Sequence, residues 1–339
     1  MTENLRKKIT AVILILAMAI SLMPVVTMTA YADTVNEPGP VAEGFGEPLE
    51  AFDYIVNGSG FDWTGSDETI VLSGSNANLT INVAPSANVK IDVQSGDDTE
   101  VTINGNSVAC DKTYIVVSNE ITLTLDDLDI TAPLNTPALQ INQSGGESGL
   151  TLEVSGSNSL IGTGSGDGIR SEHSLNIKGS GTLNVTGGDV SVGNGGGGIS
   201  LASNDEGIIL TIDEDVTVNA NGGSSLTHSG GAGISAASGD IIIKNGIVNA
   251  TSGESEGVND FSCGIMAKYK DADHSIGGNI SVEGGEVTAR GGDAENKGAY
   301  GIYTYNKLSI KGGSVNAYGG NSVNSKGGTG AMAYNQNME

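Results

Sequence analysis

Positive charge, aromatic rings and cysteine are all scarce in this chain of 339 residues. Lys and Arg together number 15 against 40 Asp and Glu, for a formal charge of −25. A surface this acidic repels nucleic acid and anionic lipid, so neither is an expected partner. Three histidines, His173, His228 and His274, have no nucleophile motif beside them, and beyond the N-terminus the only arginines are Arg170 and Arg290. That inventory argues against general acid–base or nucleophilic catalysis. Helical periodicity is absent after the N-terminus, as is any second long apolar run.

What the chain has instead is glycine and repetition. From about residue 175 a short phrase ending in small residues or paired glycines recurs: GTLNVTGG from Gly181, VTVNANGG from Val216, GIVNATSG from Gly246, GEVTARGG from Gly285 and GSVNAYGG from Gly313. Its third position is Leu183, Val218, Val248, Val287 or Val315, and its fifth is Val185, Ala220, Ala250, Ala289 or Ala317. Apolar residues two apart face one side of an extended strand, so both columns point inward. A second phrase follows after a polar loop, at Gly168-Ile169, Gly198-Ile199, Gly233-Ile234, Gly264-Ile265, Gly301-Ile302 and Gly330-Ala331, with spacings of 30, 35, 31, 37 and 29 residues. One supersecondary unit per repeat fits these intervals, with insertions expected in loops outside the stack. A third apolar stretch precedes each glycine-rich phrase, from Leu175 and Ile177 to Leu308 and Ile310.

Three short strands per repeat, turned by Gly, Asn, Asp and Ser, describe an all-β parallel β-helix. Right-handedness follows from the bias of parallel crossovers. Upstream, segments such as 79–83, 89–93, 121–130 and 150–154 alternate apolar and polar residues less regularly, and roughly nine or ten rungs fit at about 4.8 Å each. Cys110 and Cys263 fall several rungs apart, too far for a disulfide, and read as packed, unpaired thiols.

Residues 1–32 read as a signal peptide, with an uncleaved membrane anchor as the alternative: Arg6, Lys7 and Lys8 precede the apolar run Ile9 to Met28, and Ala30-Tyr31-Ala32 offers a small-x-small cleavage site. The expected location is therefore secreted, extracellular or cell-surface associated, with no membrane contact beyond that segment. Residues 33–65, with Pro38, Pro40 and Pro48, read as a linker merging into an N-terminal cap, and residues 66–339 as the β-helix. The sequence stops as another strand would begin, so an open C-terminal end is expected, a template for self-association or the edge of a longer stack.

Positions four and six of the repeated phrase face solvent. They hold Asn184, Asn219, Asn249, Thr288 and Asn316, then Thr186, Asn221, Thr251, Arg290 and Tyr318. Stacked, they form ladders able to pair with the hydroxyls of a polysaccharide, or asparagine ladders that simply bond to one another. Tyr303 and Tyr305 have outward parity after Ile302, and Tyr334 occupies the column of Tyr305, so an exposed tyrosine platform for sugar rings is a second candidate. Carboxylates gather in turns at Asp167, Asp189, Asp271, Asp273 and Asp293, where they are either solvated or ligands for a structural calcium ion. Neither the EF-hand spacing nor a GGxGxDxUx repeat is present.

In LTLDDLDITAP, in LTLEVSGSNSLIGTGSGDGIRSEHSLNIKGSGTLNVTGG and in the later GI and VNAxGG phrases, the chain resembles a family of secreted clostridial carbohydrate-binding proteins. The resemblance implies a pectate-lyase-like right-handed β-helix, calcium, and plant cell-wall polysaccharides such as cellulose and pectin as partners. It carries over the architecture and a binding expectation, with no ligand residue. The expected function is non-catalytic polysaccharide binding. The alternatives are a surface adhesin or stalk and, third, a calcium-dependent lyase.

Overall fold

A computed structural model describes residues 56–59, 61–64, 69–73, 76–82, 88–96, 98–142, 149–203, 207–257, 262–268, 278–334 and 338. Residues 1–55, which include the segment read as a signal peptide and most of that read as a linker, lie outside them, as do Asp271, Asp273 and His274. Among the described residues there is no helix, and the strands join three sheets of ten, eight and eleven strands. The fold is a right-handed parallel β-helix of roughly nine or ten rungs.

One rung shows how the sequence makes the turn. Leu175–Gly179 lies in the ten-stranded sheet, Thr182–Thr186 in the eight-stranded sheet and Ile199–Leu201 in the eleven-stranded sheet. Each pairs in parallel with the equivalent strand of the next rung: Leu175 with Leu210, Leu183 with Val218 and Ile199 with Ile234. Identical register continues through Val248, Val287 and Val315. The expected inward columns are therefore the core. Leu183, Val218, Val248 and Val287, with Val185, Ala220, Ala250 and Ala289, are wholly buried. Each such branched side chain contributes about 1.5–3 kcal/mol on burial. Val315 and Ala317, with one described neighbouring rung, are only partly buried.

At the N-terminal end, Val56–Ser59 and Phe61–Thr64 run antiparallel to Ala77–Ile81 and Thr69–Leu72, the first rung strands of their sheets. Both cysteines are buried and unpaired, as the rung separation requires, with Cys110 in the eight-stranded sheet and Cys263 in the eleven-stranded one. Burial pushes the two thiols up, to about 11 and about 12 respectively.

The loops after the glycine pairs are not outside the stack. Val190, Ser225, Ser255, Ala294 and Ser322 meet in parallel bridges and make a fourth ladder. Backbone N–H groups of Val190, Ser225, Ser255 and Ala294 donate to carbonyls of the next rung at 2.9–3.0 Å. The hydroxyls of Ser225 and Ser255 donate to the carbonyls of Gly193 and His228 at 2.6 Å. These bonds hold the loop nearly constant, from eight positions between Ala294 and Ile302 to ten between Ser255 and Ile265, so it absorbs little of the variation. The uneven spacing is taken up instead between the eleven-stranded and ten-stranded sheets, where Ile169 to Leu175 is six positions and Ile265 to Ile280 is fifteen.

Candidate functional site

The asparagine column is built as the phrase dictates, with its amides outside the eight-stranded sheet, but it is engaged with itself. Asn249 Nδ2 donates to Asn219 Oδ1, and Asn219 Nδ2 to Asn184 Oδ1, both at 2.9 Å. Asn184 Nδ2 then donates to the carbonyl of Asn158 at 3.2 Å. Thr288 interrupts the run before Asn316, which is exposed. Beside it the Arg290 guanidinium lies 4.3 Å from the centroid of the Tyr318 ring, a cation–π pair between neighbouring rungs.

The tyrosines require a correction. Tyr303 and Tyr305 have the expected outward parity, yet only 7% and 8% of their surface is exposed. An outward side chain is covered when its neighbours on the same face are large. Here Met266, Tyr300, Tyr303, Tyr305 and Cys263 form a second apolar cluster, with Met332 packed against it. Tyr300 and Tyr303 have ring centroids 5.5 Å apart, and Tyr305 and Tyr334 4.9 Å apart. Burial pushes the Tyr303 phenol up to about 12. Neither Tyr303 nor Tyr305 offers an open face to a sugar ring, whereas Tyr318 and Tyr334 remain exposed.

The described carboxylates do not converge. Asp189 Oδ1 accepts the Ser224 N–H at 2.6 Å, and Asp293 Oδ1 accepts the Asn321 N–H at 2.7 Å. Both brace the stacked loops. Asp167 is buried, accepts the Gly197 N–H at 2.6 Å and pairs with Arg170 at 3.3 Å. Desolvation holds its carboxyl above the usual carboxylate range, against the opposing pull of the Gly197 amide and the Arg170 charge. Among the described residues no three His, Cys, Asp or Glu side chains are grouped to hold a metal ion. Asp167, Asp189 and Asp293 thus do not fit a shared calcium site, and Asp271 and Asp273 lie outside the described residues.

The concave feature that the sequence reading missed lies on the outer face of the eleven-stranded sheet. Two side-chain columns explain it. One position before the Gly-Ile phrase stand Asp167, Gly197, Ala232, Cys263 and Tyr300; one position after its Ile stand Arg170, Ser200, Ser235, Met266 and Tyr303. Two consecutive rungs are small in both columns, between a charged pair on one side and sulfur and aromatic groups on the other. The result is a cleft of about 320 Å³. Ser200 and Ser235 form its floor, with their hydroxyl oxygens 3.5 Å apart. Asn194 and Ser229 of the stacked loops wall it, Asp167 closes one end, and Met266 and Lys268 lie at the other. The signal was the GIS triplet in two successive repeats, visible once residues are aligned on the Ile.

No family model, curated protein or solved structure matches the chain. The chemistry of the cleft is what bears on function. Hydroxyl, amide, carboxylate and ammonium groups can donate and accept in the pattern that vicinal hydroxyls need, while the Met266 side chain supplies an apolar contact. Its volume is at the small end of the range for small-molecule sites, roughly 300–1,000 Å³, suited to a sugar unit rather than a large cofactor.

Proposed function

We propose that the β-helix is a non-catalytic polysaccharide-binding module acting outside the cell, on plant cell-wall or other extracellular glycans. The carrying observation is the polar cleft over Ser200 and Ser235, bounded by Asp167 and Met266. The resemblance in the LTLDDLDITAP and GDGI stretches and the export signal at residues 1–32 support the same reading. Tyr318, backed by Arg290, and Tyr334 offer further exposed aromatic surface beyond the cleft.

The deciding experiment is retention of residues 33–339 on cellulose, pectate, xylan and peptidoglycan, with calcium and with chelator. Retention on one polymer, weakened by about tenfold in Ser200→Tyr, which fills the cleft, is the expected result. Loss on chelation would assign calcium a bridging role. A second reading, a passive stalk or adhesin, draws on the asparagine ladder, whose amides bond along the stack. Absence of retention on every polymer would favour it.

A further inference from the structure

A second cleft, of about 340 Å³, lies between the loops of two later rungs. Asn296, Lys297 and Tyr300 line it on one rung, and Ser325, Lys326 and Thr329 on the next. Counting back from the glycine of each Gly-Ile or Gly-Ala phrase shows what it is. Asn194 and Ser229 of the first cleft stand four positions before Gly198 and Gly233; Lys297 and Lys326 stand four positions before Gly301 and Gly330. The two hollows are one repeat position expressed twice, with different side chains.

Corresponding rungs of the two clefts are three apart, through Gly198, Gly233, Gly264 and Gly301. At about 4.8 Å per rung the separation is about 14 Å along the axis. Met266, which borders the first cleft, and Tyr303, next in its column, are buried in the apolar cluster, and Tyr300 borders the second cleft. A single site of either size holds a short ligand. Two in line on one face suit an extended chain.

Resting on the polysaccharide-binding reading, we propose that the two clefts are subsites for one extended, linear glycan lying parallel to the helix axis. The second unit to bind then sees an effective concentration set by the first, and affinity depends on chain length. Lys297 and Lys326 donate to hydroxyl or acidic oxygens at one end; Asp167, Ser200 and Ser235 accept and donate at the other. The differing ends hold the chain in one orientation.

Calorimetric titration of residues 33–339 with cello-, xylo- and galacturono-oligosaccharides of two to eight units tests this. In the series that binds, affinity should rise by at least about tenfold between the disaccharide and the hexasaccharide. Ser235→Tyr in the first cleft and Lys326→Glu in the second should each remove most of that rise. Ser200→Tyr serves as the second blocking variant, and an unchanged urea midpoint certifies each fold. Equal affinity for short and long chains overturns the tandem arrangement, as does a hexasaccharide affinity within about twofold of the parent in Lys326→Glu. Polymer retention with a flat length profile would sink only the two-subsite inference. Retention on no polymer would sink the polysaccharide reading as well.

Discussion

The rungs before residue 136 and those after it turn their corners by different means. In the early part, Asn76, Asp98, Asn106, Ser107, Lys112, Asp127 and Asn135 take positive φ themselves. In the later part glycine does so, as at Gly246 and Gly313, with Glu214 the exception among the described residues. Early corners are held by side chains: Asp127 Oδ1 accepts the Ser157 N–H at 2.8 Å, and Asn135 Oδ1 accepts the Ser165 N–H at 3.1 Å. At the glycine pairs of the late rungs it is the lack of a side chain that matters. A Cβ on Gly223 would overlap the backbone of Gly188, and one on Gly253 would overlap that of Gly223. The core is shared by both parts; the corners are not.

The comparison can be broken at its core first. Leu123 and Leu183 are both wholly buried, one in each part, so Leu123→Ala and Leu183→Ala should cost similar amounts, about 3–4 kcal/mol each by urea denaturation. A large inequality would mean that the two parts are not one kind of stack. Next, Gly223→Ala should cost about 2–3 kcal/mol by overpacking against the Gly188 backbone. A loss under about 1 kcal/mol would show that the late corners relax as the early ones do.

Lys112→Gly reverses the exchange. It relieves a positive φ of 60°, so little or no loss is expected, within about 1 kcal/mol of the parent, because the gain in flexibility of the unfolded chain offsets the relief. A clear destabilisation would show that the Lys112 side chain itself holds its corner.

Asp167 sharpens the comparison from the other side, since it is a carboxylate bracing a late corner through Gly197. Its pKa is raised, so between the ordinary aspartate value and its higher folded value the native protein keeps a proton that the unfolded chain has lost. Its contribution is therefore full below the unfolded pKa and falls as pH rises through that interval. Asp167→Asn keeps an oxygen for the Gly197 N–H but removes the titration. Its urea midpoint should decline less than the parent's over that pH interval, and an identical decline would discount burial of this carboxyl.

The same difference in corners explains what could be read in advance. Strand alternation in ITLTLDDLDI and the inward columns from Leu183 onward were legible, because burial acts on each residue singly and repeats every rung. The period was clear only after residue 175, since glycine corners look alike while Asn, Asp, Ser and Lys corners do not. Parity placed Tyr303 outward but could not report that Met266 and Tyr300 cover that face. The Ser225–Ser255 ladder and the clefts depend on which loops come into register between rungs, information that no single repeat contains.

The direction of the backbone hydrogen bonds has a mechanical side. They run from rung to rung, and all three sheets share that direction. Tension along the axis therefore loads the interfaces between rungs in series, while within one interface the bonds of three sheets and the loop ladder bear the load together. The weakest interface yields first, and the rungs beyond it keep their native neighbours. Pulled from its two ends, such a spring would lengthen in steps of one repeat rather than fail at once.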